Sequence, residues 1–480
     1  MSSTLMVSVS GVRGLVGQDL TPELVARYAA AFGALVGDAG RAPVVVVGRD
    51  ARTSGVMFAA AVQAGLQSVG ATVIDCGVVP TPTVQLAVEH HGAGGGVVIT
   101  ASHNPIEWNA LKFIGADGIF LDAERGARLS ELVASGRLAR AGWNGIGSFM
   151  LDQQAVARHV DGVRGLPYLT LETIRRRRFT VALDCVRGAG GTIMPAVLEA
   201  LGCRVAGINL ETDGRFPRPP EPVPEHLDEL SALVRQSGAD VGMAVDPDVD
   251  RLALVDEQGT PIGEDYTLAF AVRAVLGASG AGATGAQRAS GGGRRGNQTT
   301  VVCNLSTSLV VEDAARDFGA AIVRTPVGEA NVARAIMETG AEIGGEGNGG
   351  VMLPALHVGR DAPVAAALVL ELLARSAKPV SALVASSPRY AIVKSKVPRG
   401  AELRRVYGAI EQRLAGATVD RTDGMRLAWP DRWLHVRPSG TEPIVRLIAE
   451  APTEALAREL VAAGAGALEI EGAGRIGPQA

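Results

Sequence analysis

The sequence predicts an α/β protein made of three related α/β domains and a smaller C-terminal α+β domain. Short runs of β-branched residues end in turns and are followed by segments of helical period, as in PVVVVGRD and the nearby SGVMFAAAVQAGLQSVG. This alternation is typical of βαβ units and a mainly parallel sheet. The same pattern begins again at residues 179–191 and at residues 299–308. The repetition indicates several domains of one type.

The limits of the predicted domains lie where this pattern changes. The first helix is predicted to begin at Thr21 and Pro22, which suit an N-cap and a first helical turn. A stretch rich in Gly, Ala and Ser, residues 277–298, has no apolar period and predicts a flexible insertion in the third domain. The predicted domains are residues 1–150, 151–256, 257–380 and 381–480.

Composition and charge exclude several classes of protein. The chain has 480 residues, of which 47% are hydrophobic and 20% charged, and a formal net charge of -4. The negative net charge argues against nucleic acid or an anionic membrane as a partner. No segment approaches the roughly 20 apolar residues of a membrane span, and the N-terminus does not resemble a secretory signal. We therefore expect a cytoplasmic enzyme, as a monomer or homodimer, with a small-molecule substrate.

The four cysteines fit this expectation. They lie far apart in the sequence and form no CxxC pair, so they suit neither a zinc site nor a disulfide framework. Buried, reduced thiols are predicted at Cys76, Cys185, Cys203 and Cys303.

The stretch ITASHNPIEWNALKF, residues 99–113, raises the question of a serine nucleophile. Ser102 precedes His103, but side chains of neighbouring residues in an extended segment point to opposite faces. We therefore expect no Ser–His dyad. Lys112, ten residues further on, is either a solvated lysine or a proton-transfer group.

The motif AVDPDVDRLALVD is the strongest signal for chemistry. Asp246, Asp248 and Asp250 recur at a spacing of two, which in an extended segment turns all three carboxylates to one side. Crowded carboxylates repel one another unless a cation lies among them, and Mg²⁺ prefers such oxygen ligands. The apolar VGMAV before the motif places it at the end of a buried strand, where α/β sheets bind ligands. Arg251 adds a positive charge.

Two further loops suit the parts of a phosphorylated sugar. In HVRPSGTEPIVR, a guanidinium, two hydroxyls and a glycine can bind phosphate oxygens. These groups belong to Arg437, Ser439, Thr441 and Gly440. In GGEGNGG, Glu346 and Asn348 offer the acceptors and donors that sugar hydroxyls need. A plain turn remains the alternative for either loop. Near the N-terminus, Arg13, Arg49 and Arg52 are either anion-binding groups or partners in structural salt bridges.

Taken together, a serine, a metal tripod, a sugar loop and a phosphate loop indicate phosphoryl transfer to or from a phosphosugar. At this point the sequence resembles the α-D-phosphohexomutase superfamily, which includes phosphoglucomutase, phosphomannomutase and phosphoglucosamine mutase. TASHNP is similar to its phosphoserine loop, DPDVDR to its metal loop, GEGNGG to its sugar-recognition loop and RPSGTEP to its phosphate-binding loop. The resemblance implies four domains, the first three with mixed α/β sheets, around a central cleft.

The resemblance also implies a mechanism. Ser102 would be phosphorylated in the resting enzyme, and its phosphate and the three aspartates would hold one Mg²⁺ per chain. The phosphoserine would donate to the free hydroxyl of a hexose 6-phosphate or 1-phosphate, and a hexose 1,6-bisphosphate would be the intermediate and activator. Lys112 and Arg13 would manage the hydroxyl proton, Arg251 would steady the phosphoserine, and His103 would orient its phosphate.

The preferred sugar follows from the form of the sugar loop. The family commonly reads Glu-x-Ser-Gly-His there, whereas this chain has Asn348 at the Ser position and Gly350 at the His position. The GEGNGG form followed by HVGRD is most similar to phosphoglucosamine-mutase-like members. Interconversion of glucosamine 6-phosphate and glucosamine 1-phosphate is therefore expected, and a phosphoglucomutase/phosphomannomutase of broader specificity is the alternative.

Two rival functions stay open at the level of sequence. An aspartyl phosphotransferase of haloacid dehalogenase type would use Asp246 as nucleophile and leave Ser102 incidental. A non-catalytic phosphosugar-binding regulator would keep the fold without the reaction.

Overall fold

The computed structural model of the chain describes residues 5–8, 11–37, 42–279, 299–399, 403–439 and 444–473. The described residues form four β-sheets with helices packed against them. Within this part of the chain, no helix is both long and apolar enough to cross a membrane.

The first sheet has seven strands and mixed direction. Its strands are β1 (Met6–Ser8), β2 (Gly11–Leu15), β3 (Val44–Arg49), β4 (Thr72–Val78), β5 (Gly95–Ile99), β6 (Trp108–Gly115) and β7 (Phe149–Leu151). Their order is β1-β2-β6-β5-β3-β4-β7. Its helices are α1 (Pro22–Leu35), α2 (Gly55–Gln67), α3 (Thr81–His91) and α4 (Ala123–Ser135). Thr21 caps α1 by accepting a hydrogen bond from the backbone N–H of Leu24, which confirms the predicted helix start.

The second sheet has four strands, in the order β11-β10-β8-β9 once they are numbered along the chain. They are β8 (Thr180–Asp184), β9 (Arg204–Ile208), β10 (Val241–Val245) and β11 (Leu252–Val255). The helices of this part are α5 (Ala155–Arg164), α6 (Leu171–Arg177), α7 (Met194–Ala200) and α8 (Asp228–Ser237). Every residue of β8 and β10 is buried.

The third sheet has five strands, and the first two strand pairings in the spatial order given below are parallel. Its strands are β12 (Thr300–Asn304), β13 (Ala321–Thr325), β14 (Ile343–Glu346), β15 (Gly350–Leu353) and β16 (His357–Arg360), in the order β13-β12-β14-β15-β16. Its helices are α9 (Asp265–Ala278), α10 (Leu309–Arg316), α11 (Glu329–Thr339), α12 (Ala362–Ser376) and α13 (Val380–Ala385).

The predicted insertion 277–298 is wrong at its first two residues. Helix α9 continues to Ala278 because its buried apolar face packs against its neighbours up to Leu276. Residues 280–298, the rest of the predicted insertion, lie outside the described residues.

The fourth sheet is entirely antiparallel, as expected for the smaller α+β domain. Its strands are β17 (Ala391–Pro398), β18 (Thr418–Asp420), β19 (Met425–Trp429), β20 (Arg432–Pro438) and β21 (Ile444–Ala451), in the order β17-β21-β20-β19-β18. Helices α14 (Leu403–Arg413) and α15 (Glu454–Ala473) cover one face. The four sheets confirm the predicted fold class.

The cysteines are unpaired, as predicted. Cys185, Cys203 and Cys303 are buried, and Cys76 is half-buried. Burial raises the pKa of Cys76 to about 12, so this thiol is a weak nucleophile at neutral pH.

Candidate active site

Ser102 lies in a tight turn just after β5. Its φ of +49° is in the left-handed region, so the segment is not extended as the sequence argument assumed. The turn brings Ser102 Oγ within 3.4 Å of His103 Nδ1, which corrects the expectation that these two side chains point apart. The hydroxyl donates its better hydrogen bond, of 2.8 Å, to Asp246 Oδ2. The principal partner of Ser102 is therefore 144 residues away in the sequence.

Arg52 fixes the shape of this turn from below. It is 1% exposed, and its Nε donates to Asp50 Oδ2 over 3.0 Å. Its two terminal nitrogens donate to four backbone carbonyls of the Ser102 loop, those of Ser102, Asn104, Pro105 and Trp108. Of the two roles that the sequence left open for Arg52, the structure shows the buried salt bridge, with Asp50. The signal in the sequence was the GRD turn at the end of a buried strand. Which loop Arg52 contacts depends on how β3 and β5 pair.

The three aspartates of DPDVDR converge after the buried strand β10. All three are fully buried, and one carboxylate oxygen from each lies within 4.8 Å of the others. They converge through a turn and not along an extended strand, because Val249 has a φ of +62° and Asp246 Oδ1 accepts from the backbone N–H groups of Asp250 and Arg251. The prediction that the three carboxylates cluster is confirmed, but the cause is a turn and not the extended segment that the sequence argument assumed.

The donor set of this cluster fits a hard divalent cation. Asp248 Oδ1 and Asp250 Oδ1 are buried and have no hydrogen-bond partner, and such orphaned oxygens are costly unless a cation binds them. Burial and the two neighbouring carboxylates raise the pKa of Asp246 well above its usual value. Mg²⁺ prefers carboxylate oxygens and keeps positions for phosphate. Asp246, Asp248 and Asp250 are thus the residues that would hold it.

Three cations surround the aspartates. Lys112 Nζ lies 2.7 Å from Asp248 Oδ2 and 3.7 Å from Asp250 Oδ2. Burial opposes the charge of Lys112, but the two carboxylates outweigh burial and raise its pKa. Arg251 Nη1 lies 3.1 Å from Glu221 Oε1, and Arg360 donates to Asp250. Lys112 is therefore a buried ion-paired group and not a solvated lysine.

Glu346 lies at the end of β14 and is fully engaged. Its Oε1 accepts from Asn304 Nδ2 over 2.8 Å and from the N–H of Gly328 over 3.1 Å, and its Oε2 accepts from Arg360 Nη1 over 2.9 Å. Burial opposes its charge, but Arg360, the hydrogen bonds from Asn304 and Gly328, and Arg251 together outweigh burial and lower the pKa of Glu346. The other polar residue of the loop, Asn348, accepts from the N–H of Gly350.

The phosphate loop of the last domain begins at the end of β20. Arg437 Nε lies 2.9 Å from Asp423 Oδ2, and the N–H of Ser439 donates to the carbonyl of Ile444. Gly440 and Thr441, also predicted to bind phosphate, lie outside the described residues.

His103 and Arg13 lie beside the Ser102 turn. Arg13 Nη1 donates to Asn104 Oδ1 over 2.5 Å. The positive charge of Arg251, together with burial and Arg13, lowers the pKa of His103 to about 2. His103 is thus neutral at physiological pH before any phosphate is present.

A cleft of about 1180 Å³, to which all four domains contribute, adjoins the Ser102 turn at Arg13, His103 and Asn104. The serine, the aspartates and Glu346 all lie at the carboxyl ends of their strands, the edge at which α/β sheets bind ligands. Titratable residues from each domain line the cleft: Arg13, His103, Glu221, Asp265, Lys394 and Arg446.

Models of the phosphoglucomutase/phosphomannomutase family match almost the whole chain. The three alpha/beta/alpha domains match residues 5–140, 157–259 and 281–390, and the C-terminal domain matches residues 392–467. The chain belongs to the phosphoglucomutase/phosphomannomutase family. It is a phosphohexomutase, an isomerase, as the sequence motifs predicted. This assignment favours the mutase over both rival functions.

Relatives and a solved structure agree with the assignment. A "Phosphoglucomutase/phosphomannomutase" of Thermococcus kodakarensis is 40% identical over 96% of this chain and 97% of its own. A "Probable phosphoglucosamine mutase" of Methanopyrus kandleri is 38% identical over 94% and 95%. The crystal structure of a phosphoglucomutase/phosphomannomutase family protein from Burkholderia thailandensis superposes with a TM-score of 0.82, at 26% identity, over 100% of this chain and 99% of that one.

Proposed function

We propose that this phosphohexomutase works through a phosphoserine at Ser102 and interconverts glucosamine 6-phosphate and glucosamine 1-phosphate. The observation that carries the proposal is the 2.8 Å hydrogen bond from Ser102 Oγ to Asp246 Oδ2. The bond links the hydroxyl to one of the three clustered aspartates, and the same hydroxyl lies 3.4 Å from Nδ1 of His103, which lines the cleft.

The transfer is balanced as follows. The bond between phosphorus and Ser102 Oγ breaks, a bond between phosphorus and the free sugar hydroxyl forms, and the sugar becomes a hexose 1,6-bisphosphate. Transfer of the other phosphate back to Ser102 completes the isomerisation. Mg²⁺, held by the three aspartates, would supply positive charge for the transferring phosphoryl group.

Residues of this chain move the proton and hold the ligand. Lys112 is the proposed proton carrier, because its buried ammonium lies beside the aspartates. A group that donates the proton as an acid in one direction of the reaction accepts it as a base in the reverse direction. Arg251 faces the phosphoserine, and His103 orients it. The non-reacting phosphate is assigned to the loop that contains Arg437, Ser439, Gly440 and Thr441. Glu346 and Asn348 are assigned to the sugar hydroxyls.

The choice of glucosamine rests on the form of the sugar loop, GEGNGG followed by HVGRD. The name of the Methanopyrus relative at 38% identity supports it. Glucose and mannose phosphates are the second candidates, because the Thermococcus relative at 40% identity carries the broader name.

One preparation of the enzyme tests the choice of sugar. We expect kcat/KM to be highest for glucosamine 6-phosphate, lower for glucose and mannose phosphates, and to fall to background when Mg²⁺ is removed with EDTA. The ratio of kcat/KM values is the measure of specificity. A higher value for glucose 6-phosphate would move the assignment to a phosphoglucomutase, and no turnover of any of the three would contradict a mutase.

Labelling tests the nucleophile. Incubation with hexose bisphosphate labelled with ³²P should label the wild type and leave Ser102→Ala unlabelled. Ser308→Ala is the matched control, since Ser308 also lines the cleft but donates to Glu450. Label retained in Ser102→Ala would show another nucleophile, with Asp246 the first to examine.

A further inference from the structure

Arg360 lies where the metal loop and the sugar loop meet, and its guanidinium bonds to three buried carboxylates. Nη2 donates to Asp250 Oδ2, Nη1 donates to Glu346 Oε2 over 2.9 Å, and Nε donates to Glu329 Oε2 over 3.0 Å. The side chain is 9% exposed. No other described arginine pairs with both the metal cluster and Glu346.

Gly350 provides the space for this arginine. A Cβ built on Gly350 would lie 2.3 Å from Arg360 Cδ and 2.9 Å from its Cγ. Any side chain at position 350 would therefore displace Arg360. Gly350 does not have a positive φ, so its backbone conformation gives no separate reason for glycine. The aliphatic stem of Arg360 occupies the volume that a side chain at 350 would fill.

The carboxylates that Arg360 contacts explain why the planar, forked shape of its guanidinium matters for the site. By binding Oδ2 of Asp250, it leaves Oδ1 of the same carboxylate buried and without a hydrogen-bond partner, with only the ion-pair contact of 3.7 Å to Arg251 Nε. By binding Oε2 of Glu346 it sets the carboxylate that is assigned to the sugar. A planar guanidinium can hold these carboxylates in one fixed relation, whereas the ammonium of a lysine cannot.

We propose that Arg360, admitted by Gly350, is a positioning residue that fixes the metal ligand Asp250 and the sugar-loop residue Glu346 relative to each other. The proposal deepens the proposed function and rests on it for the role of Glu346. The proposal also explains why position 350 has no side chain. The guanidinium of Arg360 reaches this part of the site from β16, and a side chain at position 350 on β15 would occupy the same space.

The first experiment is Arg360→Lys, which keeps the charge and loses the fork. We expect the Kd for Mg²⁺, from calorimetric titration of the chain with Mg²⁺ alone, to rise about 10–100-fold, the usual effect of losing a group that orients a metal ligand. The KM for the hexose phosphate should rise as well. Unchanged Mg²⁺ affinity together with unchanged KM would overturn the proposal, because charge alone would then suffice.

Arg324→Met is the matched control for the loss of a buried arginine. Arg324 lies in the same domain, is 10% exposed and pairs with Glu312 over 2.7 Å, but contacts none of the aspartates. We expect it to lower stability and leave the Kd for Mg²⁺ of the folded protein within about twofold. If Arg324→Met lost as much Mg²⁺ affinity as Arg360→Lys, the effect at Arg360 would be explained by general destabilisation, and the proposal would be overturned.

The second experiment is a double-mutant cycle of Gly350→Ala and Arg360→Ala. In the wild type, Gly350→Ala should raise the Kd for Mg²⁺ about tenfold, because it moves the stem of Arg360. In the Arg360→Ala background the two nearest contacts of the new Cβ are removed and the nearest one left is Asn348 Oδ1, at 3.1 Å, so the same change should have an effect below about threefold. Strictly additive effects would show that the two positions act independently and would overturn the role of Gly350.

Gly277→Ala is the matched glycine control. A Cβ on Gly277, which lies on α9, would have Arg375 Nη2 at 2.9 Å and Phe318 Cε1 at 3.6 Å among its nearest neighbours and none of the aspartates, so this change should leave Mg²⁺ binding unchanged. Because the titrations need no turnover, they separate the two proposals. Wild-type protein that binds Mg²⁺ without converting any hexose phosphate would contradict the proposed function, while the cycle would still decide the role of Arg360.

Discussion

At the scale of single residues, buried charge organises this site. Three buried cationic side chains each contact backbone or carboxylate oxygens of several segments; they belong to Arg52, Lys112 and Arg360. Such groups are costly to desolvate and stabilise the fold only when their donors are satisfied. The consequence is that removing one partner leaves the others buried and unpaired, so the effect on stability is large and specific.

Arg52→Met should destabilise the chain by about 3–5 kcal/mol, the usual cost of removing one partner of a buried ion pair. Asp50 would lose its buried ion-pair partner, and four carbonyls of the Ser102 loop would lose the guanidinium that donates to them. Urea unfolding measures the change. The control is Arg49→Met, since the side chain of Arg49 makes a single long contact of 3.5 Å to a carbonyl. A loss below about 1 kcal/mol for Arg52→Met would contradict this account of the loop.

Asp246→Asn should stabilise the metal-free chain and abolish its stabilisation by Mg²⁺. The substitution removes one of three buried carboxylates that repel one another, and an amide can still pair with Ser102. In wild type, Mg²⁺ at about 100 times its Kd should add about 2.7 kcal/mol. Thermal unfolding with EDTA and with Mg²⁺ measures both effects. A wild-type melting temperature that does not respond to Mg²⁺ would argue against the metal site.

At the scale of elements, polar side chains on strands of the last domain attach it to the third domain. On β20, His435 Nδ1 pairs with Ser306 Oγ over 2.8 Å. On β21, Glu450 accepts from Ser308 Oγ and from the N–H of Leu309, which begins α10. Strand β20 also carries Arg437, predicted to bind phosphate, so the position of Arg437 depends on these contacts.

Acid should weaken this attachment. Burial lowers the pKa of His435 to about 4, whereas an unfolded histidine has a pKa near 6.5. Between these values the unfolded state binds more protons, so stability rises with pH from about 4 to 6.5 and is lost as the pH falls through that range. The expected loss is on the order of 3 kcal/mol.

Chemical unfolding at several pH values checks this expectation. His435→Gln should flatten the dependence, and His90→Gln, on the exposed side of α3, should leave it as in wild type. An equal slope in His435→Gln would assign the acid sensitivity to another group.

At the scale of the whole molecule, one carboxylate joins the first three domains. Asp361 Oδ2 accepts from Nε2 of His159 on α5 and from Nε2 of His357 on β16, both over 2.8 Å. His159 Nδ1 in turn pairs with Thr83 Oγ1 on α3. Asp361 Oδ1 caps α12 by accepting from the N–H of Val364. The cleft can therefore keep its shape although its walls come from different sheets.

Asp361→Ala should lower the free energy of unfolding by about 3–5 kcal/mol, because two buried histidines lose their acceptor and α12 loses its cap. The control is Asp122→Ala, which removes the cap of the surface helix α4 and should cost about 1 kcal/mol. Differential scanning calorimetry would show both changes. Equal effects for the two variants would mean that Asp361 acts only as a helix cap.

The sequence by itself determined the fold class, the family and the residues of the aspartate cluster. The periods of strands and helices and the clustering of Asp246, Asp248 and Asp250 are local properties, so one chain is enough to read them. The turn geometry at Ser102 and Val249 was wrong in the sequence argument, because backbone angles in turns depend on the hydrogen bonds that close them.

Only the tertiary structure decided which distant groups meet. The partner of Ser102 is Asp246, the loop that Arg52 holds lies 50 residues further on, and the space left by Gly350 is filled by Arg360. None of these pairings has a sequence period, because each is set by the order of strands in the sheets and by how domains pack. Buried charges find their partners across domains, and that choice exists only when the chain is folded.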